Sequence, residues 1–129
     1  MQVMKVVKIN TSGAPQPGGH YSQAVVADNM IFVSGQLPVV PETGVRILGS
    51  IEDQTLQVLK NIEAIVTAAG SDISRIVKMS VFITDISLWA GVNKTYSEFF
   101  GETRPARSIV PVKDLHHGFM IEAEAIAVK

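Results

Sequence analysis

The stretch Phe119-Met120-Ile121-Glu122-Ala123-Glu124-Ala125-Ile126-Ala127-Val128 decides the fold, because it alternates between two different kinds of side chain. Successive residues of a strand point to opposite faces. One face carries residues small enough to pack beneath helices: Ile121, Ala123, Ala125 and Ala127. The other face mixes two glutamates with large apolar side chains: Met120, Glu122, Glu124, Ile126 and Val128. We expect a strand with helices on one side only.

The two glutamates on that strand need an explanation, because they lie about 7 Å apart among apolar neighbours. A carboxylate in such a setting requires a partner, and Arg75 and Arg107 are candidates. One hypothesis is structural ion pairing across a subunit interface. The other is general acid–base chemistry, because a low-dielectric cleft raises the pKa of a glutamate toward the working range. The residue pattern leaves both open.

Working outward from this strand, hydrophobic periodicity predicts the element order β-β-β-α-β-α-β-β. The strands are predicted at Val3–Ile9, Tyr21–Ala27, Met30–Gln36, Arg75–Thr84, Ala106–Val112 and Phe119–Val128. The first helix is expected to begin after an N-cap at Ser50 and to stop at Gly70, and the second to run from a cap at Ser87 to Gly101.

Three local signals refine this order. Asp28-Asn29 is typical of a two-residue hairpin turn. Pro111 favours an edge position for the fifth strand, since proline lacks the N–H that a central strand needs. In the fourth strand, one face is predicted to hold Val77, Met79, Val81 and Ile83.

Both helices connect strands, so right-handed crossovers place them on the same face of one mixed sheet. The fold class is therefore α+β, with the second sheet face left without a helix. The hydrophobic fraction of 47% and the mean hydropathy of +0.26 are high for a chain of 129 residues. We expect a second subunit to cover the open face.

Composition limits the function classes. The length fits one domain spanning residues 1–129. A net charge of -1 without a basic block argues against nucleic acid or an anionic membrane as partner. The absence of cysteine excludes a thiol nucleophile and a Cys-ligated metal. No apolar run has the length of a membrane span or a signal peptide, which favours a cytoplasmic enzyme or binding protein.

The segment Thr103-Arg104-Pro105-Ala106-Arg107-Ser108 supplies the main candidate for ligand binding. Arg107 stands at the head of a strand, where a guanidinium can grip a carboxylate with two parallel hydrogen bonds. Arg104 lacks that setting and is interpreted as a surface charge. Further candidates for lining a pocket are Tyr21, Ser34 and Gly35, and Asn93 lies near the buried helix face and needs a hydrogen-bond partner.

The three histidines do not suggest a metal site. His116 and His117 are adjacent, and on an extended segment they would point to opposite sides. No carboxylate stands at ligand spacing, and His20 is remote in sequence. We therefore predict no metal and interpret the histidines as loop residues, one of which touches a pocket rim. No glycine-rich phosphate motif is present either.

With these residues in view, the chain resembles the Rid family of reactive-intermediate imine deaminases, also called the YjgF family. The similarity covers almost the whole chain in order. Its motifs include Tyr21-Ser22-Gln23-Ala24-Val25, Ser34-Gly35-Gln36, Gln54-Thr55-x-x-Val58-Leu59-x-Asn61, Asn93-x-x-Tyr96, Pro105-Ala106-Arg107-Ser108 and Glu122-x-Glu124-Ala125-Ile126-Ala127. The resemblance implies a single Rid-type domain in a homotrimer similar to small chorismate mutases, with sites between subunits.

The resemblance also implies a reaction: cofactor-free hydrolysis of enamines and imines such as 2-aminoacrylate to a 2-oxo acid and ammonia. This is the activity of a 2-iminobutanoate/2-iminopropanoate deaminase. In that reaction Arg107 would hold the substrate carboxylate and Glu122 would position the attacking water. The remaining pocket residues implied are Tyr21, Ser34, Gly35, Asn93 and the backbone near Ile109.

The chain departs from the family pattern at His20, at Ala123, at Ile109 and in Leu115-His116-His117. These departures concern the substrate range rather than Arg107 or Glu122. Three alternatives remain open: a deaminase for a bulkier enamine, a trimeric module that binds 2-oxo acids or a regulatory partner without catalysis, and a ribonuclease. The net charge of -1 makes the last the least favoured.

Overall fold

A computed structural model describes residues 3–129 and contains one mixed sheet of six strands with two helices. The elements are β1 (Val6–Ile9), β2 (Ala24–Ala27), β3 (Met30–Gln36), α1 (Ile51–Ala68), β4 (Ile76–Ile83), α2 (Trp89–Phe100), β5 (Ala106–Pro111) and β6 (Ile121–Val128). The strand order is β1-β2-β3-β6-β4-β5, with β4 and β5 parallel and every other neighbouring pair antiparallel. The predicted fold class and element order are confirmed.

Strand β6 lies in the middle of the sheet, between β3 and β4. The side chains predicted to pack beneath helices are almost fully buried: Ile121, Ala123, Ala125 and Ala127. Helix α1 contacts both β6 and β3, and it also packs against α2. The small side chains let the helices approach the sheet closely, so both helices cover the same face, as predicted.

The ends of α1 follow the predicted chemistry. The Ser50 side chain accepts a hydrogen bond from the Asp53 backbone N–H at 3.1 Å, which satisfies one of the free donors of the first turn. Gly70 follows the helix with a φ of 91°, in the left-handed region that glycine adopts without strain.

The predicted cap of α2 is wrong. Ser87 lies inside a separate 3-10 turn, Ile86–Leu88, which Asp85 caps by accepting a hydrogen bond from the Ser87 backbone N–H at 2.8 Å. Helix α2 then begins at Trp89 without a side-chain cap. Asp85 takes the capping role because the backbone path places its carboxylate beside that N–H, two residues further along the chain. The predicted stop at Gly101 is confirmed by its φ of 60°.

In β4, the prediction that Val77 shares the buried face with Met79 is wrong. The register with β6 shifts between Ile76 and Lys78, so Ile76 occupies the buried position and Val77 is 43% exposed. A bulge of this kind adds one residue to a strand and turns the next side chain outward. Met79, Val81 and Ile83 are buried as expected.

The remaining strands lie where they were predicted, although some are shorter than expected. Strand β3 has the predicted bounds, and Asp28, in the hairpin turn before it, has a φ of 54°. Strands β1, β2 and β6 begin two or three residues later than predicted. Strand β5 is an edge strand, as Pro111 indicated.

The sheet face away from the helices is partly apolar and open. Phe32 is 45% exposed there, and its half-buried neighbours on this face include Val25, Phe82 and Ile126. In residues 3–129 both long helices lie on the other side. A second subunit on this face stays a prediction. Within the same residues, no helix has the length and apolar character needed to cross a membrane.

Candidate functional site

Arg107 lies on β5 and points to the helix side of the sheet, in register with buried Met79. Its Nη1 donates a hydrogen bond to Oδ1 of Asn93 on α2 at 2.9 Å. The guanidinium carbon stands 4.6 Å from the ring centroid of Tyr96 and 5.6 Å from that of Trp89. Stacking and the hydrogen bond fix the guanidinium plane and leave other N–H donors free for a ligand.

A cavity of about 400 Å³ opens beside this guanidinium, between α2 and the segment leading into β5. It is lined by Asn93, Tyr96, Ser97, Phe100, Gly101, Thr103, Arg104, Pro105 and Arg107. Burial raises the pKa of Tyr96 to about 12, although Arg107 opposes the shift. The ring is therefore a neutral wall at physiological pH, and Asn93 has the hydrogen-bond partner that its position required.

Glu122 lies on β6 and points to the open face, opposite Phe82 of β4. Its carboxylate rests against Gly35, where a Cβ added to the glycine would stand 2.5 Å from Oε2. Burial raises the pKa of Glu122, nearby His116 lowers it and Glu124 raises it further. A carboxyl group with a raised pKa suits proton transfer near neutral pH.

Within residues 3–129 neither Glu122 nor Glu124 forms an ion pair with Arg75 or Arg107, and pairing across a subunit interface stays a hypothesis. The one ion pair among residues 3–129 joins Lys94 to Glu98 on the surface of α2. Glu122 therefore keeps its carboxylate available on the open face.

A bulge in β3 shapes the surroundings of Glu122. Val33 pairs with Ala125 and Gln36 with Ala123, so Ser34 and Gly35 together occupy the space of one residue. Bulges commonly re-aim side chains next to functional sites. The Ser34 hydroxyl donates a hydrogen bond to the Ser22 carbonyl at 2.6 Å, which ties the bulge to the segment that carries Tyr21.

Tyr21 stands at the rim of the same region, with 52% of its surface exposed. Its hydroxyl accepts a hydrogen bond from the Gly18 backbone N–H at 3.2 Å. A second cavity, of about 470 Å³, unites these groups and is lined by Gly18, Gly19, Tyr21, Ser34, Gly35, Leu37, His116, His117 and Glu122. The structure thus gathers four predicted site residues, Tyr21, Ser34, Gly35 and Glu122.

The histidines are placed differently from the prediction. His116 and His117 belong to a 3-10 turn, His116–Gly118, rather than to an extended segment, and both line the Glu122 cavity. Their ring centroids are 5.5 Å apart. The expectation that they point to opposite sides is wrong because His117 adopts a left-handed φ of 59°. Among residues 3–129, no three His, Cys, Asp or Glu side chains cluster as metal ligands would.

The two groups of site residues lie on opposite faces of the sheet. Arg107 pairs through Met79 with Ala125, three residues along β6 from Glu122. Strand spacing and rise put the Cα atoms of Arg107 and Glu122 roughly 14 Å apart. One chain therefore does not bring both side chains to the same small ligand. Ile109 follows Arg107 on the helix side, where it packs against the core and lines neither cavity.

Buried amides hold the loops around the site, a role that the sequence reasoning missed. Gln23 accepts a hydrogen bond from Thr11 N–H and donates to the carbonyls of Thr11, Ala14 and Pro15. The signal was available, because a glutamine inside an apolar strand run must satisfy its polar atoms. Gln54 and Asn61 act similarly from α1, bonding to Met120 and to the segment after β3.

Known proteins of similar sequence cover most of this chain. The family model described as endoribonuclease L-PSP matches residues 11–129. The RutC family protein PH0854 of Pyrococcus horikoshii is 47% identical over 121 residues, covering 94% of this chain and 96% of that protein. The chloroplastic Reactive Intermediate Deaminase A of Arabidopsis thaliana is 43% identical over 119 residues, covering 92% of this chain and 64% of that protein.

A solved structure has the same fold as this chain. The crystal structure of Escherichia coli TdcF with bound serine superposes with a TM-score of 0.91 at 43% identity, covering 95% of this chain and 98% of that one. The resemblance drawn from the motifs is confirmed, and the chain belongs to the Rid (YjgF) family, whose sequence model is described as endoribonuclease L-PSP.

Proposed function

We propose that this protein hydrolyses reactive imines and enamines of small amino acids, such as 2-aminoacrylate, to a 2-oxo acid and ammonia. The observation that carries the proposal is the oriented guanidinium of Arg107, fixed by Asn93 and Tyr96 at the mouth of a cavity. A planar carboxylate fits such a group. The name of the Arabidopsis relative, a reactive intermediate deaminase, supports the same chemistry.

The proposed active site lies between subunits of a homotrimer. Arg107 and Asn93 of one subunit would meet Glu122, Tyr21, Ser34 and Gly35 of the next. Two observations support this arrangement. The side chains of Arg107 and Glu122 lie on opposite sheet faces, and the face that carries Glu122 has exposed apolar area suited to an interface.

The reaction needs no cofactor in this proposal. Arg107 holds the substrate carboxylate and so places the imine carbon near Glu122. The Glu122 carboxylate removes a proton from water as the water oxygen attacks that carbon, the C=N π bond opens and the nitrogen takes up a proton, giving a carbinolamine. Protonation of the amine nitrogen then breaks the C–N bond and releases ammonia, while the hydroxyl loses its proton and becomes the carbonyl of the 2-oxo acid.

A coupled assay tests the proposal. A serine dehydratase generates 2-aminoacrylate in situ, and formation of the 2-oxo acid is followed with and without this protein. We expect acceleration by the wild type and a loss of about 100-fold or more in Arg107→Ala. Absence of acceleration by the folded wild type would rule out the deaminase assignment.

A second candidate is a module that binds small 2-oxo or amino acids without turnover, alone or for a regulatory partner. The serine bound to the related TdcF favours this alternative, since it shows a relative holding a small carboxylate ligand. Calorimetry with pyruvate and serine separates the two: binding that depends on Arg107, together with no acceleration in the coupled assay, identifies a binding module.

A further inference from the structure

We propose that His116 is a second proton-transfer residue of this site and delivers the proton that the substrate nitrogen needs. The inference rests on the proposed function, because it assigns a step of that reaction. It starts from four titratable side chains, Tyr21, His116, His117 and Glu122, that line one cavity.

The position of His116 is set by the fold rather than by a mobile surface loop. Its 3-10 turn ends at Phe119, which is 1% exposed and anchors the turn directly before β6. The Phe119 backbone N–H donates to the His116 carbonyl at 3.0 Å, closing the turn. The anchored turn therefore presents the His116 ring to the same cavity as Glu122.

His116 and Glu122 line the same cavity and interact electrostatically. Neither a hydrogen bond nor an ion pair joins them within residues 3–129, where Lys94–Glu98 is the one ion pair. The cavity of about 470 Å³ leaves room for a water and a small imino acid between them. An acid and a base on either side of the reacting carbon is the arrangement that addition of water to C=N requires.

The two adjacent histidines have different surroundings. Arg46, from the loop after β3, acts on His117, and Glu122 of β6 interacts with His116, while Glu124 acts on Glu122. Burial, Arg46 and His116 all lower the pKa of His117, which favours its neutral form. His117 also packs its ring edge-on against Phe119, with centroids 5.8 Å apart. His116, by contrast, acts on the Glu122 carboxyl and lowers its pKa.

The proton balance closes with these two groups. Protonated His116 gives its proton to the imine nitrogen while Glu122 takes one from the attacking water, so a C–O bond forms and a neutral carbinolamine results. Protonated Glu122 then passes its proton to the amine nitrogen, the C–N bond breaks, and the hydroxyl proton goes to neutral His116. The products are a 2-oxo acid and ammonia, and both side chains return to their starting forms.

The test compares His116→Ala, His116→Gln and Lys60→Ala with the wild type in the coupled assay. Lys60 is the control because it is exposed on α1 and lines neither cavity. We expect kcat to fall by about 100-fold in both His116 variants with KM changed less than about 3-fold. Added imidazole is expected to restore about 10-fold in His116→Ala and nothing in His116→Gln, whose side chain fills the space. Lys60→Ala keeps the wild-type rate.

The outcomes separate this inference from the function on which it rests. A wild type without activity overturns both. An active wild type with unchanged kcat in both His116 variants overturns only the role of His116. A fall in kcat without imidazole rescue, in a His116→Ala variant with normal thermal unfolding, also overturns it, because an imidazole admitted to the vacated space would then fail to replace the assigned proton donor.

Discussion

The Glu122 carboxylate occupies the place where a side chain at position 35 would begin. A Cβ on Gly35 would lie 2.5 Å from Oε2 and 3.1 Å from the carboxyl carbon of Glu122. Both distances are well inside van der Waals contact. Glycine at this position therefore lets the carboxyl group lie flat against the bulge of β3.

Gly35→Ala is expected to separate activity from stability. The atom in the way is the end of a flexible side chain, so Glu122 swings aside at a cost of about 1 kcal/mol or less. Its misplaced carboxylate should lower kcat/KM by about 10- to 100-fold. Denaturant unfolding and the coupled assay measure the two effects. Gly49→Ala is the control, since the nearest atom to its Cβ is 3.5 Å away. Equal activity of both variants would contradict the assigned position of Glu122.

Arg107→Lys should show that the shape of the guanidinium matters as much as its charge. Lysine keeps the positive charge but loses the paired donors and the stacking on Tyr96. We expect kcat/KM to fall by about 100-fold, and by about 10-fold in Asn93→Ala, which frees the guanidinium from its 2.9 Å hydrogen bond.

Arg104→Ala is the matched control, because Arg104 lines the same cavity without any such contact to Asn93. A change of less than about 3-fold is expected there. Steady-state kinetics with in situ imine measures all three variants. A loss in Arg104→Ala as large as that in Arg107→Lys would mean that the wrong arginine has been assigned.

The pH dependence of kcat/KM should report Glu122. The carboxylate is the active form, and burial raises its pKa above the ordinary 4.5, so the acidic limb is expected above pH 4.5. Because Glu124 raises the pKa of Glu122 and His116 lowers it, Glu124→Gln should move the limb to lower pH and His116→Gln to higher pH. Shifts in the opposite directions would contradict the assignment of this limb to Glu122.

The same carboxyl group should cost stability when it ionises. Its pKa is raised on folding, so its favourable contribution is present at low pH and is lost as pH rises through the folded value. Glu122→Gln lacks this loss. At the lowest pH we expect the variant and the wild type to unfold at the same temperature. Near neutrality the variant should unfold at a higher temperature, and its free energy of unfolding should be larger by about 1 kcal/mol or less, because Glu122 is partly exposed. Thermal unfolding against pH measures this difference.

Mixing two inactive variants should restore activity if the sites lie between subunits. Arg107→Ala and Glu122→Gln damage residues on opposite sheet faces. Refolded together in equal amounts, they should recover about a quarter of the wild-type activity, because that fraction of interfaces pairs an intact arginine with an intact glutamate. Each variant refolded alone is the control. No recovery in a mixture shown to form mixed oligomers would place both residues of a site on one chain.

Regular periodicity allowed much of the fold to be predicted. The alternation in β6 identified the buried face, and the helix signals around Ser50 and Gly70 located α1. The errors concern the cap of α2 and the bulge in β4. Asp85 and Ser87 are both good caps, and only the backbone path decides which one acts. A bulge such as that at Val77 depends on the partner strand, which a single stretch of sequence does not reveal.

For the candidate site, too, local patterns predicted individual residues but not their arrangement in space. Arg107 and Glu122 could be predicted as site residues, because a charged group beside an apolar strand run pays a desolvation free energy that a partner or ligand must offset. Their location on opposite faces follows from register, since Arg107 pairs through Met79 with Ala125, which lies an odd number of residues from Glu122. Register between strands depends on long-range pairing, so local patterns did not predict it. The sequence predicted that one histidine touches a pocket rim but did not identify His116, because its turn reaches the cavity through the burial of Phe119.

The extra residue in β3 also determines which sheet face the side chains after the bulge point to. Val33 and Gln36 are both buried although their positions differ by an odd number of residues, and the doubled step at Ser34 and Gly35 makes this possible. Deleting either residue would leave a strand that still pairs with β6. The deletion would also require Gln36 and the following segment to reach their present places with one residue fewer. The structure therefore depends on the number of residues in the bulge of β3 as well as on their identity.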